Sequence, residues 1–155
     1  MSELTQGTPA PALSIATDGD GHFDLSAFKG NKAVVYFYPK ADTPGCTTEG
    51  TDFSALADEF AKADTTIIGI SRDSVKKLDR FKAKHDLKIA LGSDEDGSVT
   101  ETWGVWILKK LYGREYMGIE RATFLVDRDG QIARAWHNVK VKDHAAEVLE
   151  ATRAL

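Results

Sequence analysis

The chain has 155 residues, a net charge of -4 and 42% hydrophobic residues, a composition that indicates one globular domain over residues 1–155. The acidic balance disfavours a nucleic-acid partner, and no apolar run is long enough to cross a membrane. Residues 1–7 have neither the basic nor the apolar stretch of a secretory signal, and a lone cysteine cannot form an internal disulfide, so we expect a cytoplasmic protein.

The first half of the chain alternates predicted strands and helices. Residues 12–16 and 22–25 flank an Asp-Gly-Asp-Gly turn and predict a hairpin. The apolar runs 33–38 and 65–70 predict two buried strands. Apolar residues at helical spacing predict one helix after Cys46 and a second helix further on; the first set is Phe53, Leu56, Ala57 and Phe60, and the second is Val75, Leu78 and Phe81.

The sequence pattern of the second half of the chain predicts fewer helices than that of the first half. Residues 88–91 indicate a short strand, and residues 123–126 and 131–136 indicate paired strands around a turn. Residues 141–155 close the chain with a predicted helix. Early alternation followed by a late hairpin predicts an α/β protein, with a mixed sheet covered by helices on both faces.

The only cysteine, Cys46, lies where a predicted strand has ended and a predicted helix begins. Thr43 is a favoured N-cap residue and Pro44 is favoured at the first helical position, which places Cys46 in the first turn. Unpaired backbone N–H groups and the helix dipole favour the thiolate there, and the thiolate is the reactive form. On this register the Thr43 hydroxyl is expected to reach the Cys46 amide or its sulfur.

Each of these residues also has an ordinary structural interpretation. A lone cysteine most often packs as a small hydrophobic residue. Thr43 can be a simple cap, Pro39 can end a strand, and Glu49 can favour the helix dipole. The order of the residues is more specific than any one of them.

Pro39, Thr43 and Cys46 form the pattern Pro-x-x-x-Thr-x-x-Cys, which resembles the active-site signature of the peroxiredoxins. The longer segment Tyr38-Pro39-Lys40-Ala41-Asp42-Thr43-Pro44-Gly45-Cys46-Thr47-Thr48-Glu49 is similar to the bacterioferritin-comigratory, or Q-type, branch of the AhpC/TSA-like thiol peroxidases. Residues 69–74 and 112–127 resemble the same branch, so the resemblance covers nearly the whole chain.

The resemblance implies a thioredoxin-like, three-layer α/β/α fold with a mixed central sheet and an N-terminal hairpin. It implies a thiol-dependent peroxidase that reduces hydrogen peroxide and organic hydroperoxides without a metal or an organic cofactor. Cys46 would be the nucleophile and would become a sulfenic acid. Thr43 would hydrogen-bond the sulfur and the peroxide, and Pro39 would shield the pocket from water. Arg121 would be the active-site arginine, and Glu49 would orient it.

One position departs from the branch. Q-type members often carry a second, resolving cysteine at the position of Thr51, and this chain has no second cysteine at all. The resemblance therefore implies a one-cysteine mechanism in which an external thiol reduces the sulfenic acid, with thioredoxin, glutaredoxin and glutathione all open. We expect a monomer, with a weak homodimer as the alternative.

Two other functions compete with turnover. The same sulfenic acid would also serve a redox sensor or holdase-type protein that reacts once and then stops. A thioredoxin-like disulfide reductase is disfavoured, because the chain lacks Cys-x-x-Cys.

The remaining histidines, basic residues and aromatic residues are interpreted as structural or surface residues rather than as parts of a catalytic site. The four histidines, His22, His85, His137 and His144, lack metal-ligand spacing and are interpreted as surface or structural residues. A basic set is expected to form a solvated helix face: Lys76, Lys77, Arg80, Lys82 and Lys84. An aromatic-rich set is expected to pack in the core, with a pocket wall or a reductant-docking patch as the alternative: Trp103, Trp106, Tyr112, Tyr116 and Met117.

Overall fold

A seven-stranded mixed sheet forms the centre of residues 4–155, the part of the chain that the computed structural model describes. Residues 1–3, which belong to the segment without an expected secretory signal, lie outside that part. The strands are β1 (Ser14–Thr17), β2 (Gly21–Asp24), β3 (Lys32–Phe37), β4 (Thr65–Ser71), β5 (Ala90–Ser93), β6 (Trp106–Leu111), β7 (Arg114–Ile119), β8 (Ala122–Val126) and β9 (Ile132–Trp136). The α-helices are α1 (Pro44–Ala55), α2 (Ala57–Lys62), α3 (Val75–His85), α4 (Ser98–Thr102) and α5 (His144–Arg153).

The strand order across the sheet is β2-β1-β5-β4-β3-β8-β9. Strands β3, β4 and β5 run parallel, whereas β1 and β8 pair antiparallel with their neighbours. The mixed sheet and the N-terminal hairpin are therefore confirmed. Strand β5 begins at Ala90 rather than residue 88, because the Lys88 amide donates to the Ser54 hydroxyl at 2.9 Å before the strand pairs with β4.

Alternation along β3 divides the core between the two faces of the sheet. Val34 and Tyr36 pack on the face covered by α1, α2, α3 and α5. Val35 and Phe37 pack on the other face, where α4 and the chain around it supply Val99 and Trp103. The layered α/β arrangement is confirmed, although α4 is the one α-helix on the second face among the described residues.

The helix predicted after Cys46 is interrupted at Leu56, where φ is -102° and ψ is 4°. This break lets α1 pack on α5 while α2 packs on β4. The apolar spacing did not reveal the break, because Phe53 and Phe60 stay buried on the same side of the sheet across it.

The hairpin of β6 and β7 forms a separate two-stranded sheet that the sequence did not predict. Trp103 is fully buried, as expected of the aromatic-rich set. The expectation of core packing is wrong for the other end of that set: Tyr112 is 96% exposed, Met117 is 48% exposed and Tyr116 is 46% exposed. They lie on a two-stranded hairpin that is not hydrogen-bonded to the main sheet.

Other features of residues 4–155 bear on function. None of the helices described there is long and apolar enough to cross a membrane. The same residues contain no group of three or more His, Cys, Asp or Glu side chains that could hold a metal ion. Of the basic set on α3, Lys82 is half-buried and pairs with Asp18 at 2.8 Å, while the other four side chains are exposed.

Candidate active site

Cys46 lies in the first turn of α1, directly after the loop that leaves β3. Thr43 is the N-cap residue, with an extended backbone at φ -89° and ψ 156°, and Pro44 is the first helical residue. The Thr47 amide donates to the Thr43 carbonyl at 2.8 Å, which closes the first helical turn around the cysteine. The predicted register is therefore confirmed, and it leaves Cys46 only 2% exposed.

The Thr43 side chain does not make the predicted contact with Cys46. Its hydroxyl donates to the Lys40 carbonyl at 2.7 Å and makes no capping hydrogen bond to α1. The hydroxyl hydrogen is thus used within the loop. The oxygen keeps lone pairs that can accept a hydrogen bond from another group.

Arg121 reaches the cysteine because β3 and β8 are antiparallel neighbours. Phe37 at the end of β3 pairs with Ala122 at the start of β8, so the loop toward α1 and the residue before β8 emerge at the same edge. The Val139 amide donates to the Arg121 carbonyl at 2.9 Å and holds the backbone there. Gly45 gives the guanidinium its space, because a Cβ at that position would lie 3.2 Å from Arg121 Nη2.

The guanidinium of Arg121 contacts two groups of α1 at once. Nη2 donates to Cys46 Sγ at 3.3 Å, and Nη1 donates to Glu49 Oε1 at 2.7 Å. Burial opposes the charge of Arg121, but the charges of Cys46 and Glu49 outweigh it and raise the pKa of the arginine. A permanent cation with donors in one plane therefore faces the sulfur.

Glu49 is the buried partner of this arginine. Its side chain is 1% exposed, and its second oxygen, Oε2, has no hydrogen-bond partner among the described residues. Burial raises the pKa of the Glu49 carboxyl to about 7, against the opposing pull of Arg121. The 2.7 Å contact joins Glu49 to the arginine, and the expected role of Glu49 in orienting Arg121 stays a prediction. The carboxyl can gain or lose a proton near neutral pH.

Pro39 lies in the loop between β3 and α1 and is exposed. It directly follows Tyr38, whose side chain is buried. Its expected role in shielding the sulfur from water stays a prediction.

Two residues that interact with groups of this site were not predicted from the sequence. Gly45 stands in the motif with no predicted role, although its missing side chain leaves space for Arg121. Lys109 of β6 is half-buried, and burial followed by the charge of Arg121 lowers its pKa, while Cys46 and Glu120 oppose the change. The segment Trp106–Leu111 does not alternate polar and apolar residues, so no sequence pattern singles out Lys109.

The arrangement suits nucleophilic chemistry at sulfur. A thiolate on Cys46 would be stabilised by the helix N-terminus and by the Arg121 cation. The same donors can stabilise negative charge that develops on an oxygen next to the sulfur. Thr43 adds an acceptor close by in sequence, at the N-cap.

Comparison with known proteins agrees with this chemistry. Residues 6–135 match the sequence profile of the AhpC/TSA family. Peroxiredoxin Bcp of Bacillus subtilis is 48% identical over 147 residues, which cover 95% of this chain and 94% of that protein.

Two solved structures have the same fold. A structure of the Xanthomonas campestris bacterioferritin comigratory protein, from work on its alkyl peroxide reduction, has a TM-score of 0.87 and 46% identity, covering 92% of this chain and 90% of that one. A structure of a cysteine-to-serine mutant of peroxiredoxin Q from Xylella fastidiosa has a TM-score of 0.94 and 37% identity, covering 99% of this chain and 98% of that one.

Proposed function

Because the chain belongs to the AhpC/TSA family of peroxiredoxins, in the branch of the Bcp and peroxiredoxin Q proteins, we propose that it reduces hydrogen peroxide and organic hydroperoxides by a one-cysteine mechanism. The chain is a thiol peroxidase with a thioredoxin-like fold. The observation that carries the mechanism is the 3.3 Å contact between Arg121 Nη2 and Cys46 Sγ. The alkyl peroxide reduction of the Xanthomonas campestris relative supports organic hydroperoxides as substrates.

In the first step the Cys46 thiolate attacks the terminal oxygen of the hydroperoxide, the one that carries hydrogen. A sulfur–oxygen bond forms as the O–O bond breaks, the sulfur is oxidised to a sulfenic acid, and the alkoxide or hydroxide leaves with a proton as alcohol or water. Arg121 stabilises first the thiolate and then the charge on the departing oxygen. Thr43 accepts a hydrogen bond from the peroxide with its free lone pair.

Glu49 and Pro39 support that step. Glu49 holds Nη1 of Arg121, so that Nη2 stays aimed at the sulfur. When Glu49 is ionised, its carboxylate and the Cys46 thiolate both interact with the positive charge of Arg121. When Glu49 is protonated, the thiolate is the one anion among residues 4–155 that Arg121 contacts. Pro39 limits the entry of water over the turn that carries Cys46.

The second step returns the sulfur to its thiolate. An external thiolate attacks the sulfenic sulfur, a disulfide bond forms between the two, and the hydroxyl leaves as water after taking a proton. A second thiol attacks this mixed disulfide and releases the oxidised reductant and Cys46. One hydroperoxide and two thiols thus give one alcohol, one water and one disulfide. The supply of reduced thiol suits a reducing compartment such as the cytoplasm.

A redox sensor is the second candidate, and the burial of the sulfur favours it. Cys46 is 2% exposed, so a bulky reductant reaches the sulfenic acid only when the first turn of α1 opens. A protein in which that opening is rare would oxidise once and then persist in the oxidised form.

The two candidates separate in a peroxide-consumption assay with thioredoxin, glutaredoxin and glutathione as alternative reductants. We expect repeated turnover with at least one reductant and none for Cys46→Ser. A single stoichiometric oxidation of Cys46 with every reductant would contradict turnover and support the sensor. The monomer is tested in parallel by sedimentation of the reduced and oxidised protein.

A further inference from the structure

A cavity lies beside the loop that enters α1. Its volume is about 530 Å³, within the range of small-molecule sites in proteins. Loop residues form one side and α3 forms the other; the lining is Lys40, Ala41, Asp42, Asp73, Lys77, Arg80, Phe81, Ala83 and Lys84.

The apolar part of the cavity adjoins the core around the sulfur. Ala41 and Phe81 pack in the same hydrophobic cluster as Cys46 and Tyr38. The rings of Tyr38 and Phe81 are 6.1 Å apart. The Lys40 carbonyl also holds the Thr43 hydroxyl at 2.7 Å, which ties the rim of the cavity to the N-cap of α1.

The two acidic residues of the lining are already occupied. Asp42 accepts from Lys84 Nζ at 2.9 Å and pairs with His85 Nε2 at 2.8 Å. Asp73 Oδ2 accepts from the Ala41 amide at 2.7 Å and from the Ser71 hydroxyl at 2.8 Å.

The cavity lining has more cationic side chains than carboxylates. Lys40, Lys77 and Arg80 have no carboxylate partner among residues 4–155. Lysine and arginine in this state attract carboxylates, and arginine can bind one with two parallel hydrogen bonds. The cavity therefore combines an apolar floor with a rim of unpaired positive charge.

We propose that this cavity binds the reductant, and that the reductant is a small thiol that carries at least two carboxylates. The inference rests on the proposed one-cysteine function and names the thiol for its second step. The volume suits a molecule of tripeptide size, and the unpaired cations match its carboxylates. A thiol held against the loop of residues 40–42 is next to the turn that carries Cys46. It attacks the sulfenic sulfur as that turn opens, with the bonds made and broken as in the second step above.

The test compares a cavity variant with a matched control. The cavity variant is Lys77→Met combined with Arg80→Met. The control is Lys76→Met combined with Lys142→Met, which removes the same charge at exposed positions outside the cavity. Each protein is oxidised with one equivalent of hydrogen peroxide. The rate of sulfenic acid reduction is then measured with glutathione, which has two carboxylates, and with neutral 2-mercaptoethanol. Each rate is divided by the concentration of that reductant's thiolate form.

For wild type we expect faster reduction by glutathione than by 2-mercaptoethanol. The cavity variant is expected to lose roughly threefold to tenfold with glutathione, since each lost ion pair is exposed and modest, and to be unchanged with 2-mercaptoethanol. The control should match wild type with both thiols. Unreactive S-methylglutathione should shift the backbone amide resonances of residues 40–42 in wild type.

Three results would overturn the inference: no preference for glutathione in wild type, an equal loss with both thiols, or an equal loss in the control. Reduction by thioredoxin alone would also overturn it while leaving the proposed peroxidase in place. Failure of peroxide to oxidise Cys46 would contradict both the proposed peroxidase and the bound reductant. Failure of the reductant proposal alone therefore gives a different result from failure of the proposed function.

Discussion

Arg121 and Cys46 are 75 residues apart in the chain, and Nη2 of the arginine lies 3.3 Å from the sulfur. The contact spans the end of β3 and the start of β8, two strands that pair directly in the sheet. Because that pairing is part of the core, the arginine is placed by the fold rather than by a mobile loop. The contact supports the role proposed for Arg121 in stabilising the thiolate and the departing oxygen.

Replacing Arg121 by lysine should separate charge from geometry. Arg121→Lys keeps a cation but loses the planar donors that contact Sγ and Glu49 together. We expect the rate of peroxide reduction to fall by roughly 10²–10³, as for the loss of one transition-state donor, with little change in melting temperature. Arg128→Lys is the control, because the Arg128 guanidinium pairs with Asp64 and the Gly30 carbonyl rather than with Cys46 or Glu49. Turnover of folded Arg121→Lys at the wild-type rate would exclude the arginine from the mechanism.

Glu49 should act through the arginine rather than on the peroxide. In Glu49→Gln the amide oxygen can still accept the Nη1 hydrogen bond, so we expect a loss of less than about tenfold. In Glu49→Leu the arginine loses its anchor, and a misplaced catalytic group costs about 10² in rate. Stopped-flow measurement of Cys46 oxidation gives both rates. Equal rates for the two variants would contradict a positioning role.

The buried Glu49 carboxyl should also leave a signature in stability. Its pKa rises from 4.5 to about 7 on folding because of burial, so the folded protein holds this proton more tightly than the unfolded chain. The stabilisation is complete below pH 4.5 and is lost as pH rises through about 7. His144 works in the opposite direction, because burial lowers its pKa from 6.5 to about 4.

The comparison is therefore made between wild type and Glu49→Gln, which share His144. Relative to the variant, wild type should lose on the order of 1–3 kcal/mol of unfolding free energy between pH 4.5 and pH 8. Urea denaturation at several pH values measures the difference. A difference that stays constant with pH would show that the Glu49 pKa is not raised in the folded protein.

Thr51→Cys should create the resolving cysteine that the chain lacks. Cys46 and Thr51 both lie in α1, and residues five apart in a helix have Cα atoms about 8.6 Å apart. A disulfide needs a separation below about 7 Å, so we expect the bond to form under peroxide only as the first turns of α1 unwind. Loss of helical circular dichroism and resistance to overoxidation should accompany it.

Ala55→Cys provides the matched control for that prediction, since it places a thiol in the same helix but farther from Cys46. It should form no intramolecular disulfide. If Thr51→Cys also forms none while Cys46 still oxidises, the position is not a resolving one.

The sequence predicted what depends on local pattern. The register of Thr43, Pro44 and Cys46 follows from capping preferences, and β3 and β4 follow from continuous apolar runs. The break at Leu56 was not predicted, because Phe53 and Phe60 on either side of it are both buried in the core.

Long-range features were beyond such patterns. The aromatic residues of β6 and β7 look like core residues, and only the sheet topology shows that the hairpin stands apart and leaves Tyr112 exposed. The resemblance to peroxiredoxins pointed to Arg121, but the space provided by Gly45 and the unpaired oxygen of Glu49 depend on how strands and helix pack.

The most direct test of the one-cysteine mechanism is the intact mass of the protein after treatment with hydrogen peroxide in the absence of any thiol. We expect the gain of one oxygen atom on Cys46, and then of a second as sulfinic acid with excess peroxide. We expect no disulfide-linked dimer, and no gain of mass for Cys46→Ser. A protein whose Cys46 gains no oxygen, while peroxide is still consumed, would contradict the one-cysteine mechanism.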